Sequence, residues 1–82
     1  MEKSRYSRLQ RIIQERLRKS RIDKGLSQQE IAKRLGKPQS FVSKYESGEK
    51  LLNLIELSQI CKVLSISLVE FVQQYEEKSD DT

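Results

Sequence analysis

Apolar residues recur along this chain at three- and four-residue intervals, and no stretch alternates with a period of two. Leu9, Ile13 and Leu17 form one such run. Ile31, Ala32 and Leu35 form a second, and Val42 with Tyr45, a turn after Pro38, a third. Leu54, Leu57, Cys61 and Leu64 make a fourth, and Leu68, Phe71, Val72 and Tyr75 a fifth. Each run is one face of an amphipathic helix. The pattern predicts five helices and no strand.

Local chemistry places the ends. Ser27 stands three residues before Glu30, with Leu26 and Ile31 flanking the pair. Asn53 and Glu56 repeat this between Leu52 and Leu57, as do Ser67 and Glu70 between Ile66 and Phe71. Each is a capping box inside a hydrophobic staple: the two side chains each take an orphan backbone N–H, and the apolar pair fixes the entry angle. Three copies, each opening an apolar-periodic run, are a strong signal. Ser7 with Gln10 offers a box without a staple, so the first helix is expected to open there and to end at Gly25. The second should run over about 28–35 and stop at Gly36. The third should run over about 38–46, with Pro38 in its first turn, Lys37 extended before it and Gly48 ending it. The fourth and fifth should cover about 54–64 and 68–75. Residues 1–6 then form an N-terminal arm, 7–75 the domain and 76–82 an acidic tail, both ends expected to be mobile.

Composition narrows the function. Eighty-two residues make one small domain, for which burial is limited and oligomerisation would help. With 34% charged and 35% hydrophobic residues the chain reads as globular. No apolar run approaches the ~20 residues a membrane span needs, and the charged start lacks a signal-peptide core, so a cytoplasmic protein is expected. Cys61, the single cysteine, reads as a small core residue rather than a redox sensor, and histidine is absent. A zinc site and a histidine-based triad are thereby ruled out, and no metal or cofactor is expected. The net charge of +4 is unevenly spread: +6 over residues 1–24, +2 over 25–50 and −4 over 51–82. A basic front half points to a polyanion.

The third helix carries the candidate chemistry. Gln39 with Ser43, and Ser40 with Lys44, lie four apart on the side opposite Val42 and Tyr45. Taken singly, these are ordinary surface residues. With small Ala32 and turn-forming Gly36 before them, the second and third helices can cross closely as a helix-turn-helix, and the polar stripe becomes a reading face for double-stranded DNA. A glutamine there can bond adenine at N6 and N7, a lysine guanine or a phosphate. Gln39, Ser40, Ser43 and Lys44 are the candidate base readers. Ser27, Gln28, Lys37, Ser47 and Lys50 are the candidate phosphate contacts, helped by backbone N–H groups opening the second helix. Arg5, Arg8 and Arg11 either extend this footprint or form a solvated basic face. Arg16, Arg18 and Lys19 read as solubilising charges, and Val72 with Tyr75 as a dimer contact.

The segments LSQQEIAKRLG, SFVSKYESG and ISLVEF resemble the phage repressor/Cro-like (XRE-type) helix-turn-helix family, a likeness covering about residues 9–75. It implies an all-α, five-helix lambda-repressor-like domain with the helix-turn-helix at helices two and three, binding operator DNA as a two-fold dimer. It also implies that Gln28 grips a phosphate and braces Gln39, which reads adenine, and that Arg21 and Glu46 form a structural ion pair tying the first helix to the third. The chain departs from the family at Pro38, which has no hydroxyl for the cap or a phosphate. Lys37 would serve there as a point charge. Phe41 is large for its place, suited to a thymine methyl or to burial against the second or fourth helix.

The expectation is a sequence-specific transcriptional regulator, a repressor acting sterically as a homodimer on a near-palindromic operator, and not an enzyme. The length leaves no room for an effector domain, so control would act through concentration or a protein partner such as a toxin. The alternative is an interaction adaptor or antitoxin-like protein that keeps the fold with little base reading.

Overall fold

Capping chemistry sets where most of the helices begin. In the computed structural model, which describes residues 5–79 and the side chains of residues 8–76, the order is α1 (Arg5–Asp23), α2 (Gln28–Leu35), α3 (Gln39–Ser47), α4 (Leu54–Val63) and α5 (Leu68–Ser79). At α2 the Glu30 N–H donates to Ser27 Oγ at 3.0 Å, and the Ser27 N–H donates to Glu30 Oε1 at 2.7 Å. At α4 the Glu56 N–H reaches Asn53 Oδ1 at 2.7 Å, and the Asn53 N–H reaches Glu56 Oε1 at 3.0 Å. These bonds hold both glutamate carboxyls below their ordinary range. The third box keeps one half, Glu70 N–H to Ser67 Oγ at 3.2 Å.

Where no complete box exists, the expected boundaries shift. The helix expected from Ser7 begins two residues earlier, at Arg5, and the Gln10 amide donates to the Gly48 carbonyl at 3.2 Å. The last two residues of the expected arm are therefore helical, and residues 1–4 lie outside the described ones. At the other end α5 runs to Ser79, four residues into the expected tail. Glu76, Glu77 and Lys78 favour a helix and no glycine or proline stops it. Residues 80–82 lie outside the described ones. Pro38, expected within the first turn of α3, is its N-cap, with ψ 157° and no side-chain cap bond.

Helix ends are closed by residues in the left-handed region. After α2, Gly36 (φ 70°) lets its own N–H reach Lys33 O at 3.2 Å and the Lys37 N–H reach Ala32 O at 3.0 Å. The same pair of bonds follows α4, from Ser65 to Lys62 O at 3.1 Å and from Ile66 to Cys61 O at 2.8 Å. There, however, the left-handed residue is a serine, with φ 58°. An L-residue in that region is strained and glycine is not. Ser65→Gly should therefore stabilise the domain by about 0.5–1 kcal/mol, read as a higher urea midpoint with an unchanged slope.

One core joins all five helices: Leu17 from α1, Ile31 and Ala32 from α2, Val42 and Tyr45 from α3, Ile60, Cys61 and Leu64 from α4 or its end, and Phe71 from α5. Cys61 is buried as its spacing predicts, and burial pushes its thiol up. Burial also raises the Tyr45 hydroxyl. Two expectations fail. Leu54 shares the core spacing but is 67% exposed, because α4's first turn extends past the core's edge. Arg16 is not a free surface charge: its guanidinium lies 5.1 Å from the Phe71 ring centre, with Nε buried and lacking a hydrogen-bond partner. No described helix is long and apolar enough to cross a membrane.

Candidate nucleic-acid interface

The α2–α3 pair is joined by a turn of three residues, Gly36, Lys37 and Pro38. Small, buried Ala32 lets the helices approach, and Val42 and Tyr45 lock the inner face of α3 into the core. The opposite face has nowhere to go but solvent. Gln39, Ser40, Ser43 and Lys44 are all exposed there.

The C-terminal end of α3 is tied to α1. Arg21 Nε donates to Glu46 Oε2 at 2.8 Å and Nη2 to Oε1 at 3.2 Å, while Nη1 takes the Leu26 carbonyl at 2.7 Å. The pair is well covered, with 12% and 4% of the two side chains exposed, and the bond to Glu46 raises the Arg21 pKa. Two residues that sequence reasoning missed complete the clamp. The Gln10 amide holds the Gly48 carbonyl, and the Gln14 amide holds the Glu46 carbonyl at 3.4 Å. Gln14 packs so closely that a Cβ on Gly48 would stand 2.8 Å from its Oε1. Their only sequence signal is an amide pair four residues apart beside the stripe of Leu9, Ile13 and Leu17.

Gln28 lies between the clamp and the reading face. Its Nε2 donates to Glu46 Oε1 at 3.0 Å, and its Oε1 accepts from Gln39 Nε2 at 3.4 Å. One N–H of its amide is thus committed inward and one remains for a phosphate.

Lys37 and Lys50, from opposite ends of α3, converge on Phe41, their Nζ atoms 5.4 and 5.6 Å from the ring centre. The ring is half-buried and meets Tyr45 edge-on at 5.6 Å. Phe41 is therefore a platform for two cations, a role no local pattern could show for Lys50. Lys50 also pairs with Glu56 at 3.3 Å. Ser27 keeps its hydroxyl hydrogen for a phosphate, since its oxygen accepts from the Glu30 N–H. The Ser47 hydroxyl, though exposed, donates its hydrogen to the Lys44 carbonyl at 3.1 Å and so has none left for a phosphate. Arg8 and Arg11 are exposed on α1, and the Arg5 side chain lies outside the described residues. Among the described residues no cluster of His, Cys, Asp or Glu could hold a metal ion.

A family model described as helix-turn-helix matches residues 17–71, from the core leucine of α1 to the core phenylalanine of α5. No curated protein and no solved structure matches the chain.

Proposed function

The chain belongs to the XRE-type, Cro-like helix-turn-helix family, a DNA-binding family of transcription regulators, and on that premise we propose that it is a sequence-specific cytoplasmic repressor that binds a near-palindromic operator as a homodimer through α3. One observation carries the reading. Four polar side chains capable of base contacts stand in solvent on a helix whose other face and C-terminal end are immobilised. Gln39 and Ser40, at the start of α3, occupy the places where helix-turn-helix proteins touch base edges. Lys37, Lys50, Ser27, Gln28 and the first N–H groups of α2 supply the phosphate footprint, with Ser47 the weakest member. Repression would be steric, through occupancy of the operator.

The dimer contact belongs on α5 and the first turn of α4. Val72, expected there from sequence, is 36% exposed, but Tyr75 is half-buried beside Leu9 and Ile13 in a groove against α1. Larger apolar areas stand free at Val69 (68%), Ile55 (70%) and Leu54 (67%). Covering them would add the burial a small domain lacks.

Selecting bound oligonucleotides from a random pool at physiological salt tests the whole reading. A near-palindrome with half-sites ~10 bp apart is expected, together with a dimer in sedimentation velocity. A pool that never converges would favour the adaptor alternative. A narrower check concerns Lys50. Lys50→Ala should weaken cognate and scrambled DNA alike and flatten the plot of log K against log salt by about 0.9 for each phosphate no longer neutralised. An unchanged slope would remove Lys50 from the footprint.

A further inference from the structure

Glu46 sits at the inner end of a hydrogen-bonded chain that finishes at the reading face. Its carboxylate receives Arg21 from α1 and, on Oε1, also Gln28 from α2 at 3.0 Å. In all three bonds the Glu46 carboxylate is the acceptor. Gln28 must therefore turn its NH2 inward and its oxygen outward. That oxygen accepts from Gln39 Nε2 at 3.4 Å, so the NH2 of Gln39 is the end turned toward α2. The Gln39 oxygen and its second N–H are left for whatever faces α3. Two successive amides thus take their orientation from one covered carboxylate.

We propose that Glu46 is a positioning residue for base recognition: acting through Gln28, it fixes the Gln39 amide in the orientation that accepts adenine and rejects guanine. This rests on the DNA-reading function proposed above. In the major groove adenine offers a donor at N6 beside an acceptor at N7, whereas guanine offers two acceptors, O6 and N7. An amide presenting its oxygen and one N–H matches the first edge. The same amide reversed would present two N–H donors and match the second. A glutamine can take either orientation, so its neighbours must choose, and here the choice is made at the covered C-terminal end of α3, where the Glu46 side chain is 4% exposed.

The experiment compares adenine and guanine at the base pair contacted by Gln39, identified by selection with the wild-type protein, using the full chain and fluorescence polarisation. Well-placed bidentate contacts carry about 5- to 150-fold discrimination. In E46Q the amide at position 46 can donate to Gln28, reverse it and reverse Gln39 in turn. Its adenine-to-guanine preference should fall at least about fivefold, the lower end of that range. Q28M leaves the Arg21–Glu46 pair in place and breaks the chain at its middle, so it should show the same loss even where E46Q folds poorly. The exchange E46Q/Q28E restores an acceptor-only group beside Gln39. It should recover the adenine preference while weakening all sequences together, because a negative charge has moved toward the phosphates. A purely structural role for Glu46 would not be rescued in this way. Adenine preference unchanged in both E46Q and Q28M, or no recovery in a folded E46Q/Q28E, overturns the proposal while leaving DNA reading intact. A wild-type protein that selects no site overturns both.

Discussion

Phe71→Ala should cost about 3–5 kcal/mol of stability, the range for emptying an aromatic core site. At about 0.05–0.15 kcal/mol per residue a domain of this size holds only some ~4–12 kcal/mol in all. Between about a quarter and all of the folding free energy would go with one ring. Phe71 closes the staple with Ile66, packs into the single core shared by five helices and is the surface over which the Arg16 guanidinium lies. Removing the ring leaves a cavity and takes the one aromatic face from an arginine whose Nε already has no hydrogen-bond partner. Urea denaturation followed by circular dichroism should show a midpoint lowered by several molar, or no folded baseline. A destabilisation under about 1 kcal/mol, well below the cavity range, would show that α5 is not held by Phe71.

How far the sequence reveals the fold depends on how local the determining chemistry is. α2 falls where its capping box and Gly36 place it, because every group involved lies within a few residues. α4 begins at its box and ends one residue before the expected Leu64, which becomes the cap. α1 and α5 escape at their outer ends: α1 starts two residues before Ser7, and no glycine or proline stops α5 after Tyr75. The reading face is legible in the same way: the four-residue spacing of Gln39 with Ser43, opposite Val42 and Tyr45, needs only helical geometry. The support beneath it is not. Gln10 and Gln14 reach across to α3, Gln28 bonds a residue eighteen positions on, and Lys50 meets Lys37 over Phe41. Those contacts exist only once the helices have docked, and the Arg21–Glu46 pair can be read from the sequence only through family resemblance. Exposure fails for a related reason. Periodicity assigns Leu54 to the core side of its helix, but it cannot tell where the core ends.

Gln39→Ala should cost about 1–3 kcal/mol on the selected operator and relax preference at one base pair. The same substitution should leave binding to scrambled DNA nearly unchanged, since the phosphate contacts come from other residues. Folding should be almost unaffected as well. Gln39 is exposed, and its one internal bond, to Gln28, is 3.4 Å long, so the stability change should stay within about 0.5 kcal/mol. That separation is what makes the measurement decisive. A failure to bind through misfolding would appear in the thermal melt, and a weakened charge attraction would appear as a changed salt slope, as expected for Lys50→Ala. Removing a neutral amide does neither. Polarisation titrations at physiological salt with both duplexes should therefore show the operator curve moving toward the scrambled one, which stays where it was. Equal weakening on both duplexes would mean that Gln39 does not read a base and that specificity lies elsewhere on α3, at Ser40, Ser43 or Lys44.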